Sequence, residues 1–410
     1  MSGVLFRLAL RNLWRQKRRT FITCSALAVG IFLLIIMDSF IAGIVDLGAR
    51  NIIDLQTSHL QIQPQAYFAD PADLSLDDVF SKEPLLTEIR ALPGVEGTTP
   101  RLIFSALLHN GVDEYAVMGT GIDLDTDGDV FTLGEYVEGR WLEPGTDQVL
   151  VGSRIANLMG LGIGDYALLI TKTATGAFQA LDLEVVGIVH SPHPEVNNTQ
   201  VFMPLDVAQA RLGLPDGANI LSVRTTGEPQ VVQRQIQELL GQQGLTSFQA
   251  YRWDEIAEGF LSMSQTSRTV NGILLGLVTF IAVVGVVNAI LLSAIERTRE
   301  IGMLKAMGMR EGEILREFLL EAFGMGTIGS ATGCILAILV NWYLVHYGLD
   351  PYAGAGDLGA GIPFQGIVYG VWHWHVILGA LIVGIVISIL AGIIPALRVS
   401  HRDPVWALRQ

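Results

Sequence analysis

Four apolar runs dominate this chain: roughly Phe21 to Val45, Val270 to Ile295, Phe318 to Val345 and His375 to Leu397. Each exceeds the ~20 helical residues that cross about 30 Å of hydrocarbon. Lipid offers no hydrogen bonds to a backbone, so such runs must be helices. A composition of 50% hydrophobic and only 16% charged residues agrees with a membrane protein. The first run follows a basic segment, as a signal peptide would, but it is longer than the ~7–15 residues of such a peptide's apolar region. It is read as a retained span.

Lysine and arginine near span ends mark the cytoplasmic side. They gather before the first span (Arg7, Arg11, Arg15, Lys17, Arg18, Arg19), after the second (Arg297, Arg299, Lys305, Arg310, Arg316) and after the fourth (Arg398, Arg402, Arg409). Residues 346–374 contain neither, and residues 46–268 carry 12 basic against 30 acidic side chains. The expected fold class is therefore an α-helical membrane protein with an α+β extracytoplasmic domain. It has 1+3 transmembrane helices, and the large periplasmic domain lies between helices 1 and 2. The expected division is 1–48 (cytoplasmic segment and first span), 49–268 (periplasmic domain) and 269–410 (spans two to four with a cytoplasmic tail).

Within the external segment, period-two patterns predict strands at Ser58 to Gln63, Thr98 to His109, Tyr115 to Ile122, Leu168 to Lys172, Leu181 to His190, Gln200 to Met203 and Ile220 to Thr225. Helices are predicted at Pro84 to Ala91, Ser153 to Met159, Asp206 to Leu212 and Pro229 to Leu240. Trp253 to Arg268 has no proline, so one unbroken helix is expected to run into the second span.

Motifs that could carry chemistry are few. The turn with Gly160, Gly162 and Gly164 lacks the Gly-Lys-Ser/Thr ending of a phosphate-binding loop. Asp123, Asp125, Asp127 and Asp129 alternate as in a calcium loop, but the later Glu is out of register, and a solvated acidic turn is expected. His373 and His375 beside Trp372 and Trp374 fit an interfacial aromatic belt better than a metal pair. Residues 190–195, His-Ser-Pro-His-Pro-Glu, should be too stiff for a helix. They form either a plain loop or an exposed finger whose Pro192, His193 and Pro194 touch a partner. Cys24 and Cys334 lie in apolar runs and offer no disulfide framework or zinc site. No catalytic constellation, cofactor site or metal site is expected. A net charge of −14 argues against nucleic acid.

Ionisable side chains inside a span are usual pointers to function. Asp38 and Glu321 lie near span ends and could snorkel, so a midplane proton relay is not expected. The small pairs Gly272/Gly276, Gly329/Gly333 and Ser388/Gly392 suit close helix packing. The inner connection is more informative. Over residues 297–310, Ile301, Leu304 and Met307 form one stripe ringed by charges of both signs. That pattern suits a groove in a partner protein, and a membrane-surface helix is the alternative.

The chain resembles the four-span permeases of ABC transporters, which include lipoprotein-releasing, macrolide-exporting and cell-division permeases. The resemblance rests on Leu10-Arg11-Asn12-Leu13-Trp14-Arg15 with Lys17-Arg18-Arg19-Thr20, and on the run Glu296 to Gly308, Glu-Arg-Thr-Arg-Glu-Ile-Gly-Met-Leu-Lys-Ala-Met-Gly. It continues in Val149-Leu150-Val151-Gly152 with Gly164-Asp165, in Pro395-Ala396-Leu397-Arg398 and in Asp403-Pro404-Val405-Trp406-Ala407-Leu408-Arg409.

The resemblance implies mechanotransmission in a bacterial inner membrane. A second permease, the same or related, pairs with this one, and two ATPase subunits carrying ATP and Mg dock beneath. Arg297, Arg299, Glu300, Ile301, Gly302, Leu304, Lys305, Met307 and Gly308 would form the coupling helix. The chain itself is not expected to be the ATPase, since about 20 residues precede span one and no Walker A sequence occurs. The lipoprotein-releasing, LolC/LolE-type branch is the nearest in pattern, which implies lipoprotein cargo and a periplasmic carrier. Phe32, Ile36, Met37 and Phe40 of span one, with Phe260, Met263, Leu274 and Val278, are the candidate cargo cavity. Export of drugs, peptides or lipids with a periplasmic adaptor is one alternative. A non-transporting permease that controls a cell-wall hydrolase is another.

Overall fold

A computed structural model describes residues 17–70, 76, 78–296, 303, 305, 307, 309–350 and 367–400. They fall into two compact units, one of residues 46–263 and one of residues 17–45, 264–350 and 367–400.

The first described element is α1 (Lys17–Ile52), which widens into one π-helical turn, Ile53–Thr57, before Ser58 at φ +60°. Next come β1 (Leu60–Pro64), α2 (Gln65–Ala69), β2 (Phe80–Ser81), α3 (Lys82–Arg90), β3 (Val95–His109), β4 (Glu114–Ile122), β5 (Val137–Gly139) and β6 (Gln148–Gly152). They are followed by α4 (Ser153–Met159), β7 (Tyr166–Lys172), β8 (Phe178–Val189), α5 (Pro194–Thr199), β9 (Gln200–Pro204), α6 (Leu205–Leu212), β10 (Gly217–Ala218) and β11 (Ile220–Thr225). Last are α7 (Pro229–Gln242), β12 (Phe248–Arg252), α8 (Trp253–Ile256), α9 (Glu258–Glu296), α10 (Glu311–Tyr347) and α11 (Trp374–Ser400).

Two subfolds share strand β3 in the external unit. β12, β1, β11 and the first half of β3 form an antiparallel sheet in that order, with α3 and α7 supplying the crossovers of a split β-α-β arrangement. Leu60, Ile62, Leu221 and Val223 pack on Leu85, Ile89, Ile236 and Leu240 of those helices. The alternate side chains Gln61, Gln63, Ser222 and Arg101 therefore point to the opposite face, since successive strand side chains alternate. The second half of β3 begins a closed ring, β3-β4-β9-β6-β8-β7 and back to β3. Closure removes exposed strand edges. Phe104, Leu169, Val185 and Met203 belong to its core.

In the other unit, small residues let helices meet. A Cβ on Gly333 would lie 2.6 Å from the Ala28 carbonyl oxygen, and one on Gly326 would lie 2.7 Å from the Ser388 Cβ. Gly329 meets Leu27, and Gly392 meets Ala322, whereas nothing lies within 4 Å of a Cβ on Gly272 or Gly276. Polar side chains bridge the same helices. Ser39 donates to Asn341 Oδ1 at 2.5 Å, His373 Nδ1 lies 2.8 Å from Asp38, and Ser293 donates to the buried Glu321 at 3.3 Å. Asp38 and Glu321 are thus both bound to neighbouring side chains. Among the described residues, Thr20–Thr57, Glu311–Tyr347 and Trp374–Arg398 are long and apolar enough to cross a membrane. Several side chains of α9 lie outside the described set, and its apolar described stretch is Val283–Ser293. The fold is a membrane permease architecture with an α+β extracytoplasmic domain.

Three sequence expectations need correction. Residues Pro194–Thr199 are helical, because proline at the first helical position lacks only an N–H that the first turn does not use. The helix expected from Trp253 is interrupted at Ala257 (φ −87°, ψ 24°), and α9 starts afresh at Glu258. The acidic turn is not wholly solvated, since Asp127 is buried and binds Arg101 through both oxygens, at 2.9 and 3.1 Å.

Candidate functional site

The inner connection is described only in part. Arg297, Arg299, Glu300, Ile301, Gly302, Leu304 and Gly308 lie outside the described residues. Met307 N–H donates to the Met303 carbonyl at 3.0 Å, which is one helical turn, and both methionine side chains are exposed. Lys305 reaches Glu311 at 3.6 Å.

The candidate cargo residues are distributed over both compact units. Phe32 and Ile36 pack against Leu27, Ile31 and Ile35 of α1 and Cys334 and Ala337 of α10, and Met37 and Phe40 are half-buried in the same unit. Phe260 and Met263 belong to the external unit, Met263 exposed and Phe260 half-buried. The side chains of Leu274 and Val278 lie outside the described set.

Phe260 instead joins the supposed partner finger. His193, Pro194 and Phe260 line one cavity of about 570 Å³ on the face of the four-stranded sheet opposite α3 and α7. Its floor is Gln61, Gln63, Arg101, Ile103 and Thr120; its walls are the end of α1, Tyr67 and Phe68 of α2, and Glu255 to Phe260. In the finger His193 is buried and Pro192 and Pro194 are half-buried, while His190 and Glu195 stay exposed, and the segment is pinned from within. Asn197 both accepts from Ser191 N–H at 2.8 Å and donates to the Ser191 carbonyl at 2.7 Å, and Gln56 donates to Glu195 at 3.2 Å. His193 is only 7% exposed, and burial lowers its pKa to about 4, so its ring is neutral. Burial first, and the Glu195 charge second, push the Tyr67 phenol up to about 12. The positive charge of Arg101 is matched by Asp127, and its guanidinium lies 3.5 Å over the Phe131 ring. The floor residues escaped the sequence reading. Their one signal was the alternation Leu60-Gln61-Ile62-Gln63, which shows a polar face but not that it is covered.

A model of the MacB-like periplasmic core domain matches residues 20–239, more than half of the chain, and one of the FtsX-like permease C-terminal region matches residues 272–404. The chain belongs to the MacB/FtsX type of ABC transporter permease. Among curated relatives, this permease is 25% identical over 422 residues to the macrolide export ATP-binding/permease protein MacB 2 of Aeromonas hydrophila, covering 98% of this chain and 60% of that protein. It is 23% identical to an uncharacterized ABC transporter permease of Methanocaldococcus jannaschii, covering 98% and 96%. It is 27% identical over 214 residues to the uncharacterized permease YknZ of Bacillus subtilis, covering 52% and 49%. This permease thus spans about half to three-fifths of the length of the first curated relatives it matches. The periplasmic region of MacB from Actinobacillus actinomycetemcomitans aligns with TM-score 0.36 and 14% identity, covering 49% of this chain and 91% of that one.

Proposed function

We propose that this permease is the force-transmitting membrane subunit of an ATP-driven exporter in a bacterial inner membrane. It pairs with a second permease and is driven by two ATPase subunits on separate chains, which bind the ATP and Mg. The observation that carries the reading is the joint match, in one chain, of the MacB-like periplasmic core to residues 20–239 and of the FtsX-like C-terminal region to residues 272–404, which includes residues 297–310. Exposed Met303 and Met307 on a helical turn supply apolar surface for docking.

For cargo, the relatives named for macrolide and pyoverdine export favour a small molecule handed to a periplasmic adaptor. Lipoprotein extraction toward a periplasmic carrier is the second reading, favoured by the exposed Met263 and half-buried Met37 and Phe40 as acyl-chain contacts.

Burying Leu304 and Met307 in an ATPase groove would contribute roughly 1.5–3 kcal/mol per side chain, against about 0–1 kcal/mol for an ion pair at the exposed rim of the contact. Leu304→Asp should therefore abolish ATPase co-purification while Lys305→Ala weakens it slightly. Proteoliposomes with the ATPase then separate the cargoes: hydrolysis should rise with a macrolide or siderophore on the first reading, and with a triacylated lipoprotein on the second. Unchanged ATPase capture by Leu304→Asp would overturn the coupling assignment.

A further inference from the structure

Helices α1 and α10 run side by side in the same direction: Cys24 donates to the Met325 carbonyl at 3.6 Å, and Ser39 to Asn341 at 2.5 Å. They touch along Gly329 and Gly333, where an added Cβ would come within 3.1 Å of the Cys24 carbonyl oxygen and 2.6 Å of the Ala28 one. Two packed helices leave a groove on each side of such a line. On one side α11 fills it, with Gly384 set against Ile31 and Ser330. On the other side it stays open, as a cavity of about 790 Å³.

The walls of the open groove are two facing stripes, Phe21, Ser25 and Val29 on α1 and Ile328, Thr332 and Leu336 on α10, each with a spacing of four residues. Long side chains at mid-wall would close it. Ser25 and Thr332 are short, and the buried Cys24 and Ala28 keep the floor low. Phe21, Val29, Ile328 and Leu336 are exposed, so the groove presents apolar walls to the hydrocarbon.

Charge marks one end of it. Lys17 and Arg18 stand at the mouth, and among the described lining residues none is acidic, in a chain whose net charge is −14. Arg18 is exposed and has no ion pair among the described residues. Because α1 leads into the extracytoplasmic unit at its other end, this mouth lies at the cytoplasmic surface. From Lys17 to Val29 the helix rises roughly 18 Å at ~1.5 Å per residue, close to the ~15 Å that make half of the hydrocarbon thickness. The groove therefore runs the depth of one leaflet.

Basic residues at the inner ends of spans are general and select no lipid by themselves. Here they open onto a concave slot as long as a leaflet is deep. We infer that the groove between α1 and α10 holds an anionic phospholipid of the cytoplasmic leaflet, with its phosphate against Lys17 and Arg18 and an acyl chain between the two stripes. The tail gains little by exchanging bulk lipid for apolar side chains, since the two are about equally apolar. Selection therefore comes from the headgroup, through the attraction of basic side chains for anionic lipid. The inference stands apart from the transport reading, since it uses the membrane unit alone.

The test uses the full-length permease in liposomes that contain a trace of phosphatidylglycerol or of phosphatidylcholine, each with the same photoreactive diazirine tail. Mass mapping of the adducts should show residues 21–29 and 328–336 labelled at least threefold more by phosphatidylglycerol. Leu390 and Ile394, 57% and 62% exposed on the inner half of α11, report ordinary boundary lipid and should show a ratio near one. Lys17→Gln with Arg18→Gln should bring the groove's ratio to about one. Ser25→Phe and Thr332→Phe fill the groove from opposite walls, and each should cut its labelling by phosphatidylglycerol threefold or more at an unchanged melting temperature. The proposal is overturned if the two lipids label the groove equally, if Leu390 and Ile394 show the same preference, or if the preference survives neutralisation of Lys17 and Arg18. It is overturned as well if a stably folded Ser25→Phe variant is labelled like the wild type, or if a bismaleimide joins Phe21→Cys of two copies in the membrane, which puts a second permease over the groove.

Discussion

The ring of Phe260 rests on the backbone of Gly48, so closely that a Cβ added to the glycine would come within 2.4 Å of the ring's Cζ. Close approach, and not a left-handed backbone, is what requires glycine near the end of α1. The contact joins the last turns of α1 to the first turn of α9 at the wall of the external cavity. Gly48→Val forces the ring aside, an overpacking that costs about 1–3 kcal/mol. The melting temperature of the purified permease should fall accordingly. Phe260→Leu in the same chain should restore at least half of the loss, as a double-mutant cycle would show.

A second prediction concerns Arg101 and Asp127, whose side chains are 4% and 2% exposed. Their pairing joins β3, at the sheet's cavity face, to the short turn Asp127–Asp129. Removing one partner strands the other charge in the interior, so Asp127→Ala should destabilise by about 3–5 kcal/mol. Replacing both, as Arg101→Met with Asp127→Leu, should cost far less, because the desolvation penalty disappears with the charges. Chemical denaturation of the two variants beside the wild type measures the difference, and equal losses in the single and double variants would contradict it.

Burial at His193 has a pH consequence. Its pKa falls from 6.5 in the unfolded chain to about 4 in the folded one, so the unfolded state binds the extra proton between those values. The contribution to stability is complete above pH 6.5 and is lost as the pH falls toward 4, amounting to about 3 kcal/mol over the window. Thermal melts of the wild type and of His193→Gln, compared from pH 7 to pH 4, should converge as the pH drops. His59, also held low by burial and by Arg224, is common to both proteins and cancels from the difference.

What the sequence made legible follows the physics of each signal. Period-two alternation located β11 at Ile220–Thr225 and the helical pattern located α4 at Ser153–Met159, each to the residue. Local pattern is enough when one face of an element is buried. The Pro192 to Glu195 segment misled for the same reason: prolines restrict a local conformation but do not say where it goes. Whether His193 meets solvent depends on Asn197, Gln56 and the end of α1, and the last two lie well over a hundred residues away in sequence. The cavity was equally hidden. The strand predicted at Ser58 to Gln63 puts Gln61 and Gln63 on one face, and only the fold brings α2, the π-turn and Phe260 over them.

The last prediction tests orientation, and the charge asymmetry is its basis. Residues 46–268 are strongly acidic, while lysines and arginines crowd the segment after the second apolar run. Gly128 sits in an open turn with nothing within 4 Å of an added Cβ, so Gly128→Cys should be tolerated and accessible. Met307 is 76% exposed, so Met307→Cys offers an equally reactive probe on the connection between α9 and α10. The native Cys24 and Cys334 are both buried and give little background. In intact spheroplasts, a membrane-impermeant maleimide should label Gly128→Cys and not Met307→Cys, and permeabilisation should expose the second. The reverse pattern would place the MacB-like domain inside the cell and invalidate the orientation drawn from the basic residues. Labelling at both positions before permeabilisation would put both segments on the outer side, which a helix spanning between them forbids.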